Sequence, residues 1–131
     1  VEFPTTNEAA DAARERGLQI LAGGPNLVRG GSHHPDNPLT GDLAKRRSLD
    51  ILASDYVPFS LIQGIFKLTE AEFGFALPDA VNTGSKNPAK AAGFTDRGEI
   101  AAGKRADLVQ VKVVDGIPVV RRVWVRGQRV A

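Results

Sequence analysis

Apolar residues follow two different rhythms along this chain. Up to Val57 they gather in short runs, Leu18–Ala22 and Leu49–Ser54, each closed by turn-forming or polar residues. Short apolar runs of this kind are the pattern of strands buried on both faces of a parallel sheet. Val1–Pro4 has the look of the end of another such strand. Between them lie helix signals. Thr5 and Glu8 have capping-box spacing, Glu8–Arg16 is rich in alanine, and Gly17 offers a left-handed stop. Leu39–Arg47 predicts a second helix, with Gly41 as its weak point. Gly23-Gly24-Pro25-Asn26 ends the Leu18 strand and leads into a loop over Leu27–Pro38. The order is strand, helix, strand, helix, strand.

Past Pro58 the pattern turns helical. Ser60–Leu68 predicts one helix, and Thr69-Glu70-Ala71-Glu72 opens a second with another capping box. Pro78 suits the first turn of a third. Asn87-Pro88-Ala89 caps a short fourth that stops at Gly93. From Asp107 the residues alternate, with Val109, Val111 and Val113 on one face and Gln110 and Lys112 on the other. Asp115-Gly116 is a hairpin signal, Ile117–Arg126 pairs back, and Gly127 turns the chain again. Trp124 and the valines of these strands read as packing residues.

In a parallel sheet, chemistry collects where strands end at their carboxyl edge. The candidates there are Glu2 and Thr5, Gly24 and Asn26, and Ser54, Asp55 and Tyr56. Asp55 has two readings at this point: a structural cap on the turn before Pro58, or a reactive carboxylate. Glu2 is equally open. His33 and His34 are the only histidines, and adjacent loop histidines lack the i, i+4 geometry that grips zinc on a helix. They read either as an ordinary loop or, for His33 with Asn26, Arg29 and the Gly30-Gly31 backbone, as part of a site for phosphate oxygens.

Composition narrows the field. The chain has 131 residues, 42% hydrophobic and 24% charged, which suits a globular domain. A complete eight-stranded α/β barrel needs about 250 residues, so a whole one cannot fit. The absence of Cys excludes disulfides and thiolate chemistry and fits the cytoplasm. No apolar run approaches the roughly 18 residues of a membrane span. The net charge of +2 is small, and Arg121, Arg122, Arg126 and Arg129 have no aromatic platform beside them. Neither nucleic acid nor membrane is therefore expected as a partner. Met is absent as well, and the chain opens at Val1, which leads us to expect a piece of a longer protein.

Three segments in sequence resemble the amidohydrolase superfamily of metal-dependent hydrolases. They are Leu52-Ala53-Ser54-Asp55, the stretch Asn87–Gly93, and the stretch Gly98–Val109. Glu2–Thr6, Pro25–His33 and Asp50–Pro58 narrow the likeness to its phosphonate-metabolism branch, which removes pyrophosphate from a triphosphorylated ribosyl phosphonate. The resemblance implies an α/β fold: residues 1–95 as the C-terminal portion of a TIM-like (β/α)8 barrel, and residues 96–131 as part of a small antiparallel β-sandwich. It implies that Asp55 is both a metal ligand and the proton shuttle for the hydrolytic water. Asn26, Arg29, Ser32 and His33 would bind the phosphorylated substrate. The cofactor would be a divalent metal, zinc in the first instance, with most ligands upstream of this chain. The partners implied are the N-terminal remainder of the same protein and a second copy. Strand edges at Val1–Pro4 and Leu18–Ala22 should drive such association, and the chain alone should be inactive. Hydrolysis of C–N bonds in a cyclic amide or a base, and a non-catalytic scaffold, are the alternatives.

Overall fold

The structure is a computed structural model, and it describes residues 1–31 and 39–131. Two small sheets organise it. The parallel one pairs β1 (Leu21–Gly23) with β2 (Ile51–Ala53), in the register Leu21 to Ile51 and Gly23 to Ala53. A single parallel bridge joins Glu2 to Leu21 on the other side of β1, with Phe3 N donating to Leu21 O at 2.9 Å. The strand order is therefore the Val1–Phe3 stub, β1, β2. This corrects the expectation of an open edge at Leu18–Ala22: β1 lies in the middle. The strands are also shorter than predicted, and Leu18 is half exposed, because the chain is still leaving the preceding helix there.

That helix, α1 (Asn7–Glu15), is capped by Thr6 rather than Thr5. Thr6 Oγ1 accepts from Ala9 N at 3.1 Å. Glu8 then stands one position nearer the cap. Its own backbone N–H and then the Thr6 hydroxyl hold its carboxyl below the usual carboxylate range. Gly17, at φ 70°, closes the helix as expected, with Leu18 N returning to Ala13 O.

A helix that the pattern did not predict, α2 (Gly24–Arg29), starts directly at the end of β1. Gly-Pro reads as a turn, yet Pro25 sits in the first helical turn, where its missing N–H costs nothing. α3 (Thr40–Lys45) follows and tolerates Gly41. α4 (Ser60–Lys67) crosses α2 closely enough that a Cβ on Gly24 would lie 2.9 Å from Ser60 O. The second capping box does not start a helix. Thr69 Oγ1 instead donates back to Phe66 O, and the chain turns tightly through Gly74 (φ 62°) so that Phe73 is buried. α5 (Leu77–Gly84) carries Pro78 in its first turn, and α6 (Lys86–Ala91) ends before Gly93. The core is Ile20, Leu27, Leu43, Leu52, Ile65 and Leu68, with Phe73 and alanines of α1, α3 and α5 around them. Among the described residues no helix is long and apolar enough to cross a membrane.

The second sheet is antiparallel, β3 (Leu108–Val114), β4 (Ile117–Val125) and β5 (Gln128–Arg129) in that order. The predicted alternation does not run through it cleanly. Gln110 pairs with Arg122 and the next residue, Val111, with Val120, so Arg121 is an extra residue in a bulge. Val109 and Val113 are about half exposed, while Leu108, Val111 and Val114 are partly covered.

Candidate active site at the carboxyl edge of the parallel strands

The three parallel segments end side by side, and the residues that meet there are Phe3, Gly23 and, on the turn just after β2, Asp55. Two of these residues have a backbone that L side chains seldom adopt: Phe3 at φ 48° and Asp55 at φ 51°. Left-handed backbone at a bulky or charged residue costs about 1–3 kcal/mol, and it concentrates where function needs it. The third residue has ordinary extended backbone (φ −82°, ψ 133°) and still lacks room for a side chain. A Cβ on Gly23 would lie 3.2 Å from Asp55 Oδ2 and 3.2 Å from the Phe3 ring. The Asp55 carboxylate and the Phe3 ring thus converge over Gly23.

The turn that carries Asp55 is well anchored. Ser54 O accepts from Val57 N at 3.1 Å and from Ser60 Oγ at 3.1 Å, and Ser60 is buried at the start of α4. Thr40, also buried, donates its hydroxyl to Gly23 O at 3.1 Å and so ties α3 to the end of β1. At the opposite edge Asp50 fixes the strands. Its carboxylate accepts from Ile20 N at 2.8 Å and from Arg14, and its carbonyl accepts from Asn87 Nδ2 at 2.7 Å. This corrects the reading of Asn87 as a helix cap: it lies inside the first turn of α6, whose N-cap is Ser85, and its side chain reaches back to Asp50, just before β2. Sequence reasoning passed over Asp50, although an acidic residue inside an apolar run was the signal.

Asp55 itself is solvent-exposed, and among the described residues no hydrogen bond or ion pair to its carboxylate is seen. The turn lifts it clear of the core. Glu2 is exposed and engages the sheet through its backbone.

Asn26 and Arg29 both lie on α2, one turn apart, rather than in a loop. The Asn26 side-chain oxygen is buried with no hydrogen-bond partner among the described residues, and Arg29 is exposed in the last turn. Gly30 and Gly31 correct the idea of a backbone cradle for phosphate. Both N–H groups donate to Asn26 O, at 3.1 and 3.2 Å, because they close the helix, with Gly30 at φ 76°. Ser32, His33 and His34 lie outside the described residues. Among the described residues no three His, Asp or Glu side chains stand close enough together to hold a metal ion. Asp55 offers one carboxylate, and a hydrolytic metal site needs at least three protein ligands. The described residues alone do not make a metal centre.

The Amidohydrolase family model matches residues 42–130 of this chain. The chain belongs to the amidohydrolase family. A curated relative, the alpha-D-ribose 1-methylphosphonate 5-triphosphate diphosphatase of Escherichia coli (strain K12), is 48% identical over 130 residues, or 98% of this chain. The chain spans 34% of that relative's length. Among solved structures, an amidohydrolase from Thermotoga maritima MSB8 superposes with a TM-score of 0.76 over 99% of this chain and 36% of its own, at 24% identity. That likeness shows a shared α/β fold. Amidohydrolases are generally metal-dependent.

Proposed function

We propose that this chain forms the C-terminal part of a hydrolase that removes pyrophosphate from a triphosphorylated ribosyl phosphonate, with Asp55 as the carboxylate that takes the proton of the attacking water. The observation that carries this reading is the 48% identity, spread over nearly the whole chain, to a diphosphatase of that name. The exposed Asp55 on its left-handed turn supports it, since a general base must be reachable by the water it deprotonates. Residues 1–95 belong, on this reading, to a (β/α)8 barrel and residues 96–131 to part of a β-sandwich. The protein works in the cytoplasm as a homo-oligomer. A divalent metal such as zinc would polarise the phosphoryl oxygen and acidify the water, Asp55 being one ligand and the others lying in the remainder of the polypeptide.

Arg29 supplies the charge for a phosphate contact, with Asn26, Ser32 and His33 beside it in sequence. The engagement of the Gly30 and Gly31 N–H groups within α2 removes two donors from that contact and favours, as the second reading, an amidohydrolase that cleaves C–N bonds. An assay of the intact protein separates the two. Release of pyrophosphate from a ribosyl phosphonate triphosphate, with no hydrolysis of cyclic amides, is expected. Amide hydrolysis without pyrophosphate release would overturn the substrate assignment.

A further inference from the structure

We infer that Gly23 is a positioning residue: the absence of its side chain leaves the seat in which the Asp55 carboxylate rests, and the Phe3 ring forms the other wall of that seat. The inference deepens the reading of Asp55 as the water-activating carboxylate and rests on it.

The argument starts from what the glycine is not doing. Its φ of −82° and ψ of 133° suit any residue, so no backbone need explains it. Extended backbone next to a buried strand favours a larger side chain, and glycine there costs chain entropy. Space is the reason that remains. A Cβ would stand 3.2 Å from Asp55 Oδ2, 3.2 Å from one carbon of the Phe3 ring and 3.5 Å from the next. All of these are side-chain atoms, and none belongs to the backbone. The added methyl would therefore displace the ends of two side chains and leave the strands where they are. Asp55 is exposed and Phe3 only partly buried, so both can yield by a few tenths of an ångström at little cost to the fold.

The neighbouring glycine makes the contrast. A Cβ on Gly24 would strike Ser60 O and Oγ at 2.9 Å, against the backbone of α4 itself. Gly24 is a packing glycine and Gly23 a site glycine, side by side in one doublet. The left-handed backbone at both Phe3 and Asp55 also fits the seat. Each strand end is turned out of its normal course at the residue whose side chain lies over Gly23.

Reactivity is far more sensitive than stability to displacements of this size, because a general base acts only within hydrogen-bond reach of its proton. Gly23→Ala in the full-length enzyme should lower kcat about tenfold. KM should stay within twofold, the metal content unchanged and the thermal midpoint within about 2 °C. Gly23→Val should lower kcat further. Removing the other wall should give the methyl room: Gly23→Ala combined with Phe3→Ala should recover part of the lost kcat relative to Gly23→Ala in the same assay. Asp55→Asn, run alongside, tells the two levels apart. If Asp55→Asn abolishes turnover and Gly23→Ala has normal kcat, the seat is wrong and the carboxylate assignment stands. If Asp55→Asn turns over normally, the assignment falls and the seat falls with it. A loss of stability in Gly23→Ala with unchanged kcat would mark a merely structural glycine and overturn the inference.

Discussion

The two sheets of this chain solve the problem of stability in opposite ways. The parallel pair is three residues long in each strand, yet Ala22 and Leu52 are each 2% exposed and Ile20 beside them is fully covered. The antiparallel sheet is far longer, and it contributes nothing to the buried cluster; Val109, Val113 and Ile117 are each about half exposed. Its order comes from the cross-strand ladder and from two turns, Asp115-Gly116 and Arg126-Gly127, in which both residues have positive φ. Helices on the parallel strands supply the burial that short ladders cannot. A long ladder with well-fitted turns needs less of it. The first region should therefore be sensitive to side-chain volume and the second to backbone conformation.

Volume loss in the first region should have the largest effect. Leu52→Ala empties a site that Gly64 and its helix press against, a Cβ on Gly64 being only 2.7 Å from Leu52 Cδ2. It should cost about 2–5 kcal/mol in urea unfolding of the full-length protein. The backbone change comes next. Gly127 sits at φ 78°, so Gly127→Ala should cost about 1–2 kcal/mol and raise hydrogen exchange at Val130 N, which donates to Val123 O. A smaller effect is set by pH. The Arg126 N–H, at 2.9 Å, and then Arg105 hold the Asp107 carboxyl below the usual carboxylate range. A lowered folded pKa gives stability that is full above the ordinary carboxylate pKa and is lost as pH falls through the folded value. Opening of the β4–β5 turn should thus increase with acid below the ordinary carboxylate range, and Asp107→Asn should flatten that dependence in hydrogen exchange. Smallest of all, Val113→Ala should change stability by no more than about 0.5 kcal/mol, despite its place in the middle of a valine run. A loss there as large as at Leu52 would erase the contrast between the two sheets.

The same division explains what could be read from sequence. Short, mostly apolar runs located both parallel strands, and positive-φ turn chemistry located the β3–β4 hairpin, because each signal is local. Helix α2 was hidden by Gly24-Pro25, whose turn-like appearance is cancelled only by close packing against Ser60. The capping box at Thr69 failed because burying Phe73 requires the chain to turn back. No local signal marked the bulge at Arg121, since a bulge belongs to the pairing of two strands. In the site, Asp55 was legible as a polar residue ending an apolar run. Phe3 and Gly23 were not, because their role exists only once three strand ends lie side by side. The Gly23-Gly24 doublet was visible, but its two different reasons were not.

The central claim is that the end of β2 holds Asp55 on a strained turn for the sake of its carboxylate. The direct measurement is Asp55→Gly in the full-length enzyme, with turnover and urea unfolding followed on the same preparation. Glycine accepts φ 51° without strain, so stability should be maintained or raised while turnover falls by at least about a hundredfold. Turnover within twofold of the parent, or a loss of more than about 1 kcal/mol in stability, would contradict it.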